Sequence, residues 1–221
     1  MKTRSWKQML RIRIWFIVVL FLSFVTACAI PVRQDFKVDE SLAIGNVQGD
    51  SFVGQRYPFK IRIPVGWQAA TQYPEFLVEQ GYGREGLEAT PFFLFNPQTK
   101  SSVQVDFSPA RRTVRFNQKK IEALTRMVGT CLVNEVHQEH GKTSSVQLSK
   151  VIPMKLRGIP YAARAFAEFT VKSEPREQGW IYAFAEPYQI FILYLIAGEK
   201  RDMDKEALEQ ALSSFEYLGV H

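Results

Sequence analysis

From Tyr57 onward the chain is organised by alternation. Phe59-Lys60-Ile61-Arg62-Ile63 puts an apolar residue at every second position until Pro64 ends the run, which is the period of a half-buried strand. Phe76-Leu77-Val78-Glu79 predicts a short second strand and Pro91-Phe92-Phe93-Leu94-Phe95 a buried one, and Ser102-Val103-Gln104-Val105-Asp106-Phe107 alternates again. Turn residues separate them, from Gly81 to Gly86 and at Asn96-Pro97. The period then changes. Ile121, Leu124, Val128, Cys131, Leu132 and Val136 recur at helical spacing, predicting a helix over 117–140 that stops at Gly141. Gly129 weakens that helix by about 1 kcal/mol relative to alanine. Four more strands follow near 146–156, 161–171, 180–185 and 189–197, joined by short turn-like links that include Glu186-Pro187. Such links predict an antiparallel meander. A last helix over 203–215 has Asp202 or Asp204 to cap it and turns Leu208, Leu212 and Phe215 inward. Strands, helix, strands, helix: the order predicts an α+β fold, an antiparallel β-sheet flanked by helices.

The amino end follows a different pattern. Residues 1–13 are basic, with Lys2, Arg4, Lys7, Arg11 and Arg13 and no acid. An apolar stretch, broken only by Ser23, runs from Ile14 to Val25, then Thr26-Ala27-Cys28. The basic residues suit an anionic cytoplasmic membrane face, and the apolar stretch has the length of a signal h-region, shorter than the roughly 20 residues of a spanning helix. Val25-Thr26-Ala27-Cys28 resembles the lipobox of bacterial lipoproteins: a branched apolar residue, two small residues, then cysteine. The resemblance implies cleavage between Ala27 and Cys28 and acylation of Cys28, an anchor to which each buried methylene adds about 0.8 kcal/mol. Ala29 stands where an aspartate would imply retention in the inner membrane of a Gram-negative cell, so in such a cell the resemblance implies the outer membrane, facing the periplasm. The expected organisation is a signal peptide over 1–27, a tether over 28–51 with Pro31, Gly45, Gly49 and scattered charges, and a folded domain over 52–221.

This leader changes the meaning of the charge. The 221-residue chain carries a formal +6, but removing the five leader cations leaves +1, so no net field would draw the exported part to nucleic acid. With 46% hydrophobic and 23% charged residues that part has an ordinary globular composition. Of two cysteines, a lipidated Cys28 leaves Cys131 without an intramolecular partner, so the fold must rest on its core.

Three stretches carry a second resemblance: Tyr57-Pro-Phe-Lys-Ile-Arg-Ile-Pro-Val-Gly-Trp67, Leu156-Arg-Gly-Ile-Pro-Tyr-Ala162, and Tyr194-Leu-Ile-Ala197 with the closing Leu212-Ser-Ser-Phe-Glu-Tyr-Leu218. Together they are similar to the PsbP-like superfamily, which includes DcrB-like envelope domains, over 57–218. The resemblance implies a central antiparallel sheet between helices, an α/β/α sandwich, and a role in binding or assembly. It carries no catalytic signature onto this chain.

Candidate chemistry is sparse. Cys131, His137 and His140 are types that bind zinc, but Cys131 falls on the apolar helical face, where an inert buried thiol is expected, and His137 lies well round the helix. No metal, cofactor beyond the covalent lipid, or enzyme activity is expected. Arg111, Arg112, Arg115, Lys119 and Lys120 form a basic cluster before and into the first helix, opposed by the helix dipole, and suit anionic headgroups or carboxylates. Gly81, Gly83 and Gly86 lack a phosphate-loop ending. Phe92, Phe93 and Phe95, like Trp67, are expected in the core, and would line a lipid pocket under the alternative reading of the domain as a carrier of an apolar ligand. The leading expectation is a lipid-anchored envelope module that acts on a protein partner.

Overall fold

A computed structural model describes residues 38–79, 92–110, 114–140, 145–171, 174–196 and 201–219. The leader with Ala27 and Cys28, the glycines from Gly81 to Gly86, and Arg111 and Arg112 lie outside the described residues.

Among the described residues, twelve strands and three helices are laid down in this order: β1 Gly45–Gln48, β2 Ser51–Gly54, β3 Phe59–Arg62, β4 Gln68–Ala70, α1 Glu75–Glu79, β5 Phe92–Phe95, β6 Ser102–Pro109, α2 Gln118–His140, β7 Val146–Leu148, β8 Ile152–Pro153, β9 Tyr161–Val171, β10 Glu174–Ala185, β11 Tyr188–Ile196, α3 Arg201–Ser214 and β12 Glu216–Tyr217. The strands form a four-stranded sheet, β1-β2-β3-β12, and an eight-stranded sheet, β4-β5-β6-β11-β10-β9-β7, with β8 also on β9. All named pairs are antiparallel. The α+β expectation holds, and so does the meander for β9, β10 and β11.

The large sheet has one dry face. Val103, Val105, Phe107, Ile181, Ala183, Ile190, Ile192 and Ile196 point there, meeting Phe52, Phe59 and Ile61 of the small sheet and Leu208, Ala211, Leu212 and Phe215 of α3. Trp67 and Phe92 belong to this core. A polar network also fixes α3. Arg164 of β9 makes a two-pronged pair with Glu209 of α3, at 2.6 and 2.9 Å, and donates to the Tyr194 hydroxyl at 2.7 and 3.0 Å. The Tyr194 ring lies across β10, where a Cβ on Gly179 would come within 1.9 Å of it, so only glycine fits. Lys205 pairs with the fully buried Glu177 at 3.0 Å, and Asp204 accepts from Ser101 at 2.6 Å and Asn96 at 3.1 Å.

Helix α2 lies on the opposite face, over β9 and β10. Asn117 caps it, its side-chain oxygen accepting from the Lys120 amide at 3.0 Å. The floor beneath is a row of small residues, Ala163, Ala165 and Ala167, all buried. Trp180 rises between them. Its indole N–H donates to the Thr125 carbonyl at 2.7 Å, and its ring would stand 3.0 Å from a Cβ on Gly129. The mid-helix glycine therefore makes room for a tryptophan.

Three expectations change. The tether does not extend to 51: β1 begins at Gly45 and Ile44 is buried in the core, so the folded unit starts by Val38. The segment 76–79 is not a strand. Glu75–Glu79 is one helical turn, because the Pro74 carbonyl accepts from Leu77 and Val78, and a proline–glutamate start favours a helix. Cys131 is exposed rather than buried, since it stands about 100° round the helix from Leu132, away from the row Ile121, Thr125, Gly129 and Leu132 that meets the sheet.

Candidate functional site

The strands that carry α2 also extend beyond it. Register places side chains of the same face in rows across the sheet. One row runs Ser102, Leu195, Gln178, Ala167, the next Gln104, Leu193, Trp180, Ala165, and the third Asp106, Phe191, Tyr182, Ala163. The right-hand ends of these rows lie under α2. The left-hand ends, on β6 and β11, do not. Gln104, Asp106, Gln189, Phe191, Leu193 and Leu195 are all half-buried, although the residues between them are fully buried on the other face. Phe191 and Leu193 mark the border. Both pack against the cluster of Leu132, Ala165, Ala167, Phe169 and Trp180, and Leu193 also lines a cleft with Leu77 of α1. Among the described residues this half is a shallow trough between α1 and α2, apolar along β11 and polar along β6.

Its polar side is ordered by hydrogen bonds. The Gln104 amide donates to the Asp106 carboxylate at 2.9 Å, and Tyr73 hydrogen-bonds Gln104 in turn. The Tyr182 hydroxyl donates to the Gln189 side-chain oxygen at 2.7 Å. Burial pushes the Asp106 carboxyl up to about 6, opposed by the Gln104 hydrogen bond. The titratable groups that feel its charge are Tyr73, beside it, and Tyr57 in the core. Burial also raises Tyr182 and Tyr73 above the ordinary phenol value.

The cleft lined by Leu77, Ser102, Gln104, Gln178, Leu193 and Leu195 has a volume of about 40 Å³. That is room for water, far below the roughly 300–1,000 Å³ of pockets that enclose a small ligand. Phe92 and Phe93 are completely buried and Phe93 is roofed by Tyr73 at 4.8 Å.

The described segment leading into α2, which carries Arg115, reaches one end of the trough. Phe116 stacks on Phe184 at 4.4 Å, which pins the segment leading into α2 across β10. Arg115 and Lys119 are exposed. The Lys120 ammonium donates to the Arg115 carbonyl at 2.6 Å, so this lysine fastens the start of α2 although its charge is opposed by the helix dipole. Arg111 and Arg112 are outside the described residues. His137 and Cys131 do not converge with further ligands: among the described residues, no three His, Cys, Asp or Glu side chains form a metal-holding group. No helix of the described residues is long and apolar enough to cross a membrane.

The sequence reading did not single out Asp106, Phe191, Leu193 or Leu195. Their alternation is visible in the chain, but their grouping depends on the β6–β11 register.

Fold and site together define the class of the domain: an α+β fold of antiparallel sheets and helices, with part of one sheet face half-open among the described residues. The solved structures it matches include cyanobacterial PsbP (CyanoP) from Synechocystis sp. PCC 6803, with a TM-score of 0.52 at 13% identity over 80% of this chain and 98% of that one. They also include LpqN of Mycobacterium tuberculosis, described as involved in cell envelope biogenesis, with a TM-score of 0.48 at 9% identity over 73% of this chain and 84% of that one. At these identities the likeness to CyanoP establishes the fold and leaves function to the site. No protein-family model matches the chain, and no curated protein matches it by sequence.

Proposed function

We propose that this chain is a lipid-anchored module of the cell envelope that binds a protein partner on the uncovered half of its large sheet. The half-buried β6–β11 trough is the observation that carries the binding part: a sheet face that the protein's own helix stops short of covering. The leader carries the anchoring part. Cleavage after Ala27 would leave Cys28 to bear the lipid. The partner would accordingly be a membrane protein or one held close to the membrane, in the periplasm at the outer membrane if the cell is Gram-negative. Arg111, Arg112, Arg115, Lys119 and Lys120 would supply positive charge for anionic headgroups or carboxylates of the envelope. The module would perform no catalysis and hold no cofactor other than the covalent lipid.

Intact mass spectrometry of the chain extracted from membranes tests the anchor. The expected product begins at acylated Cys28, and a product beginning at Met1 would overturn it. A photo-crosslinking residue at position 195 tests the trough. A specific adduct is expected there and not at exposed Ser213 on α3.

A further inference from the structure

Glu177 meets Lys205, and the buried Asp204 accepts on both carboxylate oxygens, from Ser101 and Asn96. Asp106 has fewer partners among the described residues. Among the described residues its carboxylate accepts one hydrogen bond, from the neutral Gln104 amide, on one of its two oxygens. Phe191 stands directly opposite on β11, and Tyr182 stands opposite Phe191, with ring centroids 6.1 Å apart. A half-desolvated carboxylate beside aromatic faces attracts a cation twice, by charge and by the ring quadrupole. Gln104 is itself held by Tyr73, so the carboxylate is aimed before anything binds.

We propose that Asp106 receives an arginine or lysine side chain from the partner polypeptide, seated in the trough against Phe191. This rests on the reading of the trough as the docking face and names the chemistry of its occupant. A guanidinium fits best, because its plane can stack on Phe191 while its fork meets the carboxylate. Burial strengthens the pair, since little water screens it. The pH dependence follows from the carboxyl at about 6: mostly charged at pH 7, mostly neutral at pH 5.

The test uses the full mature chain and n-butylguanidinium as probe, followed by NMR shifts, with n-butylurea as the uncharged control. Shifts are expected at Gln104, Asp106, Tyr182 and Phe191, with affinity at pH 5 about ten-fold below that at pH 7. Asp106→Asn should keep the fold and lose at least ten-fold in affinity, while Asp106→Glu retains part of it. Equal binding to the Asn variant, shifts elsewhere, or equal binding of n-butylurea would overturn the proposal. Binding that appears only with vesicles rich in phosphatidylethanolamine would overturn it too, by assigning the carboxylate to a lipid amine. Crosslinking from position 195 separates the two failures. A partner captured equally by wild type and Asp106→Asn leaves the trough standing and removes the role of Asp106. Absence of any specific adduct removes the trough, whatever the probe shows.

Discussion

Two halves of one sheet face can be set side by side. Under α2 the floor is Ala163, Ala165 and Ala167 with Trp180 locked against Gly129 and Thr125. On β6 and β11 the same rows continue as Asp106, Gln104 and Ser102 beside Phe191, Leu193 and Leu195. The first half is small, apolar and closed. The second is mixed, half-buried and organised by side-chain hydrogen bonds. Alanines let a helix lie flat on a sheet, whereas a glutamine and an aspartate must keep polar partners. The difference teaches that coverage here follows from side-chain size and polarity along the rows. It places the packing that fixes α2 in one half and leaves the other as the face proposed for recognition.

The comparison breaks most severely if the closed half is tolerant. Trp180→Ala should cost about 3–5 kcal/mol in urea unfolding, from lost packing and the lost indole hydrogen bond to the Thr125 carbonyl. A loss below about 1 kcal/mol would mean that α2 is not fixed there. Gly129→Leu should destabilise by about 1–3 kcal/mol, because a Cβ already stands 3.0 Å from the Trp180 ring and a longer side chain must displace it.

Asp106 sharpens the contrast through pH. Its folded value of about 6 lies above the ordinary 3.8, so the folded state holds the proton more tightly. Its contribution is therefore fully present below about pH 4 and is lost as pH rises through 6. The shift sets a ceiling of about 3 kcal/mol, roughly 2 after allowing for solvent at a half-exposed carboxyl. Asp106→Asn should remove this dependence, so the variant gains on wild type between pH 4.5 and 7.5 in parallel unfolding curves. Identical curves would show that the carboxyl is fully solvated. The smallest effect belongs to the rim of the open half. Leu195→Ser should change stability by about 1 kcal/mol or less.

Much of the fold was legible in the chain. The β3, β6 and β9–β11 segments alternate, and α2 and α3 repeat at helical spacing, because each has one face in the core. The exceptions are instructive. In β1 only the preceding Ile44 is buried, so Gly45-Asn46-Val47-Gln48 has no apolar rhythm to read. Phe76-Leu77-Val78 is too short for period to decide between strand and helix. Cys131 was misplaced because a run of apolar residues was read as one broad face, and the true contact row is narrower. The candidate site was hidden for a different reason. Gln104 and Asp106 look like the solvent side of any strand. Their meaning comes from Phe191 and Leu193, more than eighty residues later, and from where Gly129 lets α2 settle. The leader shows the opposite case, since its message is written in consecutive residues.

The most direct measurement of the central claim is paired in-cell photo-crosslinking from the two sides of the domain. Position 193 or 195 in the trough is compared with position 206 or 213 on the outer side of α3. The account predicts one discrete membrane-associated adduct from the trough positions, reduced by Asp106→Asn, and none from α3. Equal adducts from both sides, or adducts from α3 alone, would contradict it.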